Sequence, residues 1–319
     1  MQSELAYYAK KFAKLHVNRH RDRGPAPHKP ILLLSVIELI EQGKIQRNRI
    51  YLSPELIATF LKYWTHFGSE KHRSNIALPF FHLQGDKFWH LMPNPGFEAT
   101  VSSQSKLSGL NSLKDAIKYA YFDDALFHLL EESKTRQELI GILSDAWFKD
   151  KEQQISQLLQ YDEFEDIQLK LFDSGGVVYS TEELKDDQRT FVRSAAFRKI
   201  VVSLYEQRCA LCRLKIIVGN QTIVDGAHIM PFSEFRDDRF DNGLALCKNH
   251  HWAFDHGWFG ISDRYQIVIP PDRFYEEAPN ALQGLDEFNG EEILLPVDDK
   301  CKPRLEALSW HRNFWEIAS

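Results

Sequence analysis

The sequence of 319 residues has no run of eighteen or more apolar residues and only four cysteines. A helix that crosses a bilayer needs about 20 consecutive apolar residues, so we do not expect a membrane-spanning protein. Residues 1–16 are charged and amphipathic and lack the apolar stretch of a secretory signal, which favours a cytoplasmic location. Four cysteines are too few for a disulfide scaffold, so their spacing matters more than their number.

Neither sign of charge dominates the whole sequence, whose formal net charge is −6, but the charges are spread unevenly. Residues 1–110 carry 15 lysines and arginines against 8 acidic residues, a net charge of +7, and hold seven of the thirteen histidines. The rest of the chain has a net charge of −13. A basic region on an acidic protein is the footprint expected for a polyanionic partner, although a solvated basic face would give the same pattern.

The length and composition predict a two-domain protein of the α+β class. With 43% hydrophobic residues, the chain is long enough to bury a core in each half. We place a first domain, of mixed helical and hairpin structure with an acidic helical extension, over residues 1–165. A linker is expected over residues 166–188, because SGG at 174–176 is followed by a polar, acidic stretch. The second domain then covers residues 189–319.

Local signals predict several helices in both domains. Ser53 is followed by Pro54 and Glu55, the pattern of an N-cap with proline at the first helical position and an acidic residue in the first turn. Pro30 stands where a first helical residue would, and the apolar positions after it recur at helical spacing. The predicted helices span residues 4–16, 31–43, 53–67, 111–160 and 189–207.

Three cysteines and a histidine have the spacing of a structural zinc site. Cys209 and Cys212 are separated by two residues, and so are Cys247 and His250. Two such pairs on two turns can each supply two adjacent vertices of a tetrahedral Zn²⁺ site. The alternative is that the cysteines are buried apolar thiols, as free cysteines often are.

After the first ligand pair, residues 222–259, which include the second pair, are predicted to form a strand, a loop and a helix. This order of elements places His228, Asn242 and His251 together. The sequence resembles the HNH (ββα-metal) nuclease family on three segments: AHI-x-P at 227–231, NGLALC at 242–247 and HH-x-x-FD at 250–255.

The resemblance implies a role for each of these side chains. His228 would be the general base that takes a proton from the attacking water, a role that suits a near-neutral pKa. Asn242 would orient the loop and hydrogen-bond to that histidine, and His251 would be a ligand of the catalytic metal. Asp255 follows four residues later on the same helix face and would share the ion, where a carboxylate favours Mg²⁺ or Mn²⁺.

Two assignments in this motif stay open. Many relatives have a metal ligand directly before the general base, where this chain has Ala227. Asp225 either supplies that missing ligand or holds the His228 imidazole. Of the two adjacent histidines, His250 has the spacing of a zinc ligand, which leaves His251 for catalysis, and the reverse assignment is the alternative.

The basic N-terminal region carries three short motifs: PHKPILLL at 27–34, ALPFFHL at 77–83 and FWHL at 88–91. The two aromatic segments are predicted to be short strands joined by a hairpin turn at 84–86. On these motifs the region is similar to the sulfur-binding domain that is joined to HNH nucleases in phosphorothioate-dependent type IV restriction enzymes.

This second resemblance implies a site that selects sulfur over oxygen. Sulfur is larger, more polarisable and more weakly hydrated, so an apolar cavity beside cationic groups would favour it. The family segment has a tyrosine and an alanine where this chain has leucine and histidine, and packing of a domain core is the alternative role. The implied residues are Leu78, Pro79 and His82 for the apolar part, His28 and Lys29 for the polar and cationic edge, and Arg73 with the stretch 19–23 for flanking phosphates.

Together these features predict a metal-dependent DNA endonuclease of the restriction type. The first domain would recognise phosphorothioated double-stranded DNA. The second would hydrolyse phosphodiester bonds at a one-metal HNH site, with structural Zn²⁺ and catalytic Mg²⁺ or Mn²⁺. Since one HNH site cuts one strand, we expect a homodimer. Two alternatives are the same enzyme reading methylated or hydroxymethylated DNA, and a zinc-stabilised DNA-binding protein that does not cleave.

Overall fold

The computed structural model of the chain describes residues 2–22, 24–69, 71–102, 107, 109–149, 151–219, 221–277 and 283–318. The chain divides into two compact units: Met1–Glu165 with Asp187–Val192, and Asp166–Asp186 with Arg193–Ser319. Residues 166–186, which the sequence placed in a linker, group with the second unit. Along the described stretches, no helix combines the length and the apolar content needed to cross a bilayer.

The first unit is mainly helical. Its helices are α1 (Gln2–Ala13), α2 (His28–Glu41), α3 (Pro54–Phe67), α4 (Ala77–His82), α5 (Glu98–Ser102), α6 (Leu110–Ala116), α7 (Asp124–Glu131), α8 (Ser133–Trp147) and α9 (Glu152–Leu158). Its strands are β1 (Arg19–His20), β2 (Gly24–Pro25), β3 (Trp89–Pro93) and β4 (Ile117–Phe122). The strands form two small antiparallel ladders, β1 with β2 and β3 with β4.

Helix α3 begins where the sequence predicts. The Ser53 hydroxyl accepts a hydrogen bond from a first-turn backbone N–H at 3.2 Å, and Pro54 takes the first helical position. Helix α2 starts earlier than predicted, at His28 with Pro27 as N-cap, so Pro30 is its third residue. Proline is tolerated there because the first-turn N–H groups have no partner within the helix. Helix α2 is buried along nearly its whole length, against α3 and α8.

The predicted aromatic hairpin is wrong in its first half. Residues 77–82 form helix α4, and a 3₁₀ turn at Leu83–Asp86 replaces the hairpin turn. Pro79 lies in the first turn of α4, where it is tolerated, whereas within a strand it would remove a ladder hydrogen bond. Strand β3 pairs instead with β4, which interrupts the stretch predicted to be helical at 111–160. A strand partner so distant in sequence leaves no local signal.

The second unit combines short strands with helices. Helices α10 (Glu163–Asp173) and α11 (Asp187–Leu204) begin in the first unit and continue into the second, which also holds α12 (Phe232–Phe235), α13 (Lys248–Asp255) and α14 (Leu305–Phe314). Its strands are β5 (Ile217–Val218), β6 (Gln221–Thr222), β7 (Val224–His228), β8 (Gly243–Cys247), β9 (Gly260–Ile261) and β10 (Ile267–Val268). The predicted α+β class is confirmed.

Strands β7 and β8 with helix α13 form the predicted strand–loop–helix arrangement. Antiparallel pairing places His228 opposite Gly243, and Cys247 ends β8 directly before α13. A Cβ atom added at Gly226 would lie 2.9 Å from the Cα atom of Arg198. Glycine therefore allows β7 and α11 to approach closely, and the backbone of α11 supports the strand that carries His228.

Candidate functional site

Four potential metal ligands converge next to the β7–β8 hairpin: Cys209, Cys212, Cys247 and His250. Their ligand atoms lie within 4.8 Å of one another, and the Nδ1 atom of His250 is 3.3 Å from the Cys247 sulfur. Three thiols and one imidazole are a donor set for structural zinc, so the residues fit that ion. We call these residues the Cys3His cluster. It includes His250 and not His251, as the spacing predicts.

The position of the Cys3His cluster explains how it can stabilise the unit. Cys209 and Cys212 lie in the turn that follows α11, while Cys247 and His250 lie at the junction of β8 and α13. Burial opposes protonation of His250, but the neighbouring thiols raise its pKa to about 9. A cation bound by these four side chains would join the turn after α11 to the β8–α13 junction. The remaining cysteine, Cys301, is buried outside the cluster.

His228, the predicted general base, is held from two sides. Its ring stacks on Phe197 of α11 at a centroid separation of 4.2 Å and an interplanar angle of 7°. Its Nε2 atom lies 2.7 Å from a carboxylate oxygen of Asp238. Asp238 is buried, and this burial raises its pKa even though the neighbouring His228 opposes the shift. The sequence did not indicate Asp238, which lies in a loop and belongs to none of the recognised segments.

The loop that carries Asp238 is fixed by neighbouring ion pairs. The backbone N–H of Asp238 donates to the carbonyl of Val177 at 2.9 Å. The guanidinium of Arg304 bridges Asp237 and Asp241, at 2.6 Å and 2.7 Å. Charge-assisted hydrogen bonds on both sides of Asp238 restrict its movement, and they keep its carboxylate next to His228.

Asn242 braces the same loop and does not bond to the His228 ring, which corrects that part of the expectation. Its side-chain amide donates to the carbonyls of Met230 and Asp237 at 3.1 Å and 3.0 Å. Its side-chain oxygen accepts from the N–H of Met230 at 2.9 Å. Since Asn242 is completely buried, both amide hydrogens are needed to satisfy loop carbonyls that water cannot reach.

His251 lies between two carboxylates at the start of α13. Its Nε2 atom is 3.4 Å from an Asp255 oxygen, and its Nδ1 atom is 3.8 Å from an Asp225 oxygen. The same Asp225 oxygen accepts a hydrogen bond from Lys248 at 2.9 Å. An imidazole nitrogen and carboxylate oxygens fit a hard divalent cation such as Mg²⁺ or Mn²⁺.

Strand geometry decides what Asp225 faces. Side chains alternate along β7, so Asp225 and Ala227 share one face and His228 points to the other. An Asp225 oxygen lies 3.8 Å from the Nδ1 atom of His251. The carboxylate hydrogen-bonded to the His228 ring is that of Asp238, which corrects the expectation that Asp225 holds this imidazole. That Asp225 supplies the ligand missing at Ala227 stays a prediction.

A cavity of about 370 Å³ connects these groups. His228, His251 and Asp255 line one part of it, Arg198 also contributes, and aromatic residues of α14 form another part. Among the described residues, the Arg198 guanidinium forms no ion pair, and its charge acts on both Asp225 and Asp238 by lowering their pKa values. Burial is, however, the largest influence on the pKa of both carboxyls, and it raises the pKa.

In the first unit, two predicted DNA-contacting residues lie inside the fold. His28 is buried, its Nε2 atom is 2.9 Å from the Arg73 carbonyl, and burial lowers its pKa. Lys29 donates to Asp86 at 2.7 Å and to the His16 carbonyl at 2.6 Å. The expectation that these two side chains form an exposed cationic edge is therefore wrong. The neutral form of His28 is favoured, and the charge of Lys29 is neutralised by Asp86.

The other residues predicted to contact the sulfur or the flanking phosphates differ in exposure. Pro79 is buried in α4, whereas Leu78 is half-buried and His82, one turn later on the same helix face, is exposed. Arg73 is exposed as well. In the stretch 19–23, Arg19 and Arg21 are exposed, and Arg23 lies outside the described residues. The residues predicted to contact the modified DNA that remain accessible are Leu78, His82, Arg73, Arg19 and Arg21.

Two family models match the chain, one in each unit. Residues 6–161 match the ScoMcrA-like DNA sulfur-binding domain, and residues 209–262 match the HNH endonuclease. The chain joins a DNA sulfur-binding domain to an HNH endonuclease domain. Both resemblances stated from the sequence motifs are confirmed. The residues predicted to contact the modified DNA lie within the first match. The Cys3His cluster and His228 lie within the second.

Solved structures align with parts of the chain. The modification-dependent TagI restriction endonuclease is 28% identical, with 39% of this chain and 38% of that chain covered and a TM-score of 0.29. The sulfur-binding domains of SprMcrA and ScoMcrA, each complexed with phosphorothioated DNA, are 17% and 18% identical. They cover 49% and 48% of this chain and 95% and 98% of theirs, with TM-scores of 0.38 and 0.36. This chain thus spans 38% of the length of TagI, and no curated protein matches it.

The buried Lys29 gives a stability prediction for the sulfur-binding domain. We expect Lys29→Ala to lower the free energy of unfolding by about 3–5 kcal/mol, because it leaves the Asp86 carboxylate buried without its partner. Chemical denaturation of the full chain, followed by circular dichroism, measures the loss. Lys71→Ala, which removes an exposed lysine of the same domain, should change stability by less than about 0.5 kcal/mol. Unchanged stability together with lost DNA binding would instead make Lys29 a DNA contact.

Proposed function

We propose that this protein is a modification-dependent restriction endonuclease that recognises phosphorothioated double-stranded DNA and hydrolyses its phosphodiester bonds. The observation that carries the proposal is a single cavity, in the HNH domain, lined by His228, His251 and Asp255. The proposed general base and a potential metal site therefore line the same cavity. The same chain also has a sulfur-binding domain. DNA as substrate also supports a cytoplasmic location.

His228 acts as the general base through its Nδ1 atom. Asp238 accepts the hydrogen on Nε2, which leaves the Nδ1 lone pair free to take a proton from the attacking water. Stacking on Phe197 fixes the plane of the ring, so the lone pair keeps one direction. Arg304, by pinning the loop that holds Asp238, acts only through that loop. The products are a 5′-phosphate and a 3′-hydroxyl, as the HNH family implies.

His251 and Asp255 would hold the catalytic divalent ion, Mg²⁺ or Mn²⁺. When bound, the ion would supply Lewis-acid stabilisation to a phosphate oxygen and to the leaving 3′ oxygen. Asp225 lies on the Nδ1 side of the His251 ring, where it fixes the orientation of the imidazole or adds a further oxygen. The guanidinium of Arg198 binds a phosphate oxygen at the edge of the cavity. The Cys3His cluster holds structural Zn²⁺.

The accessible surface of the sulfur-binding domain binds the phosphorothioate group of the DNA. Leu78 offers an apolar contact for the weakly hydrated sulfur, His82 lies beside it on the same face of α4, and Arg73 supplies a cation for a neighbouring phosphate. His28 and Lys29 support this surface from inside the fold. Cutting both strands of a duplex needs two HNH sites, so we propose that the active form is a homodimer.

Two plasmids of identical sequence, one phosphorothioated and one not, test the proposed function. We expect Mg²⁺- or Mn²⁺-dependent cleavage of the phosphorothioated plasmid alone at a fixed salt concentration, because salt controls the affinity of phosphate contacts. Gel electrophoresis of the plasmids measures the cut. Equal cleavage of both would contradict sulfur recognition, and methylated and hydroxymethylated plasmids would then be compared. Binding of the modified plasmid without cleavage would contradict the nuclease function.

A further inference from the structure

One wall of the catalytic cavity is aromatic, and the proposed hydrolysis does not use it. Trp310 and Phe314 of α14 line the same cavity of about 370 Å³ as His228 and His251. The two aromatic rings stack on each other, with centroids 5.0 Å apart and planes 15° apart. Phe314 is 55% exposed.

Helix α14 has a separate face that packs in the core. Ala307, Leu308 and His311 are buried, and the His311 ring stacks on Phe254 at 3.8 Å. Trp310 and Phe314, four residues apart, form the face that lines the cavity. Packing of α14 therefore does not require the exposed surface of Phe314. Among the described residues, the Trp310 indole N–H has no hydrogen-bond partner, so it too is available to a ligand.

We propose that Trp310 and Phe314 form a stacking platform for a nucleobase of the DNA strand being cut. The inference rests on the proposed function, because the bases beside the scissile phosphate must lie next to His228. An aromatic face binds any base by stacking, whereas a paired base inside a duplex has no free face to offer. The platform therefore binds a nucleobase that is unstacked from the duplex next to the scissile phosphate.

The position of the platform favours a nucleobase over other apolar ligands. The platform shares one cavity with the proposed general base, His228, and with the potential metal site at His251. Its ligand must therefore be joined to a phosphodiester. Arg198 lines the same cavity and supplies a cation for the adjoining phosphate. The combination of a cationic group and stacked aromatic rings is the one that single-stranded nucleic acid requires.

Photocrosslinking locates the base without requiring cleavage. Phosphorothioated duplexes carry 5-iodouracil at one position at a time, and the 319-residue protein, purified with zinc in the buffer, binds them in Ca²⁺ to slow hydrolysis. After irradiation, mass spectrometry of the peptides identifies the crosslinked residue. We expect one position beside the cut to crosslink to α14 at Phe314 or Trp310. Phe314→Ala should lose the Phe314 crosslink, and Tyr275→Ala, which removes an 87% exposed aromatic ring elsewhere in the unit, should keep it.

A double-mutant cycle tests whether the contact contributes to recognition. Removing the crosslinked base, by an abasic site, should lower the affinity of the wild-type protein for the duplex about ten-fold. The same abasic site should change the affinity of Phe314→Ala by less than about two-fold, because the contact is already lost. Phe314→Trp should restore the ten-fold effect. Fluorescence anisotropy measures each affinity, and thermal unfolding confirms that the variants fold.

The outcomes separate this proposal from the proposed function. Bound DNA that gives no crosslink to α14 from any position overturns the stacking platform, and so do effects of the abasic site and of Phe314→Ala that simply multiply. A change of oligomeric state in Phe314→Ala, with the abasic site still lowering its affinity about ten-fold, would overturn the platform and show that a second copy covers the rings. A crosslink to α14 in a wild-type protein that never cleaves keeps the platform and overturns the nuclease function.

Discussion

Alanine in place of His228 is expected to lower the rate of DNA cleavage about 10²–10⁴-fold and to leave binding of phosphorothioated DNA unchanged. The loss follows because the attacking water would have no group to take its proton, while the sulfur-binding domain is unaltered. Single-turnover cleavage at saturating protein measures the rate, and fluorescence anisotropy measures the affinity. Asp238→Asn should also cleave more slowly, because a neutral amide can still accept the hydrogen bond but cannot balance the charge of the protonated imidazole.

His256→Ala is the matched control for this prediction. His256 is an exposed histidine of the same domain, and it stacks on Trp252 at 4.0 Å. Its loss should leave cleavage within about two-fold of wild type, since it does not line the catalytic cavity. If His228→Ala cut DNA at the wild-type rate, the assignment of the general base would be wrong. Weaker DNA binding in His228→Ala would place this histidine in substrate recognition.

Serine in place of Cys247 is expected to release the structural metal and unfold the HNH domain. A structural zinc site contributes about 10–16 kcal/mol in small zinc domains, which equals or exceeds the about 5–15 kcal/mol that stabilise a typical protein. Cys247 joins β8 to α13, so its loss would also displace His251. Zinc content by mass spectrometry and thermal unfolding measure the effect. A strong chelator should reproduce it in the wild-type protein.

Cys301→Ser provides the control, because Cys301 is also buried but lies outside the Cys3His cluster. We expect it to retain the full zinc content and the cleavage activity. The sulfur-binding domain should bind phosphorothioated DNA in both variants, since the cluster belongs to the other unit. A Cys247→Ser protein that kept wild-type stability after chelation would show that the cluster is a set of buried thiols with no structural metal.

Features that depend on a few neighbouring residues could be predicted from the sequence. The N-cap at Ser53 and the helix that follows it are set by hydrogen bonds within one turn. The Cys3His cluster follows from two short ligand spacings, and the strand–loop–helix order brings the pairs together. Such patterns are visible in a sequence because the geometry of the chain over a few residues fixes the result.

Partners far apart in the sequence were decided by the tertiary structure. Lys29 looked like a DNA contact until packing placed it beside Asp86, 57 residues away. Asp238 and the α14 aromatic wall have no motif that connects them to His228, and β3 finds its strand partner beyond two intervening helices. The sequence by itself determined the ligand set of the Cys3His cluster and the two domain resemblances. The tertiary structure decided which charges are buried, because burial and pairing depend on the elements that pack together rather than on neighbours along the chain.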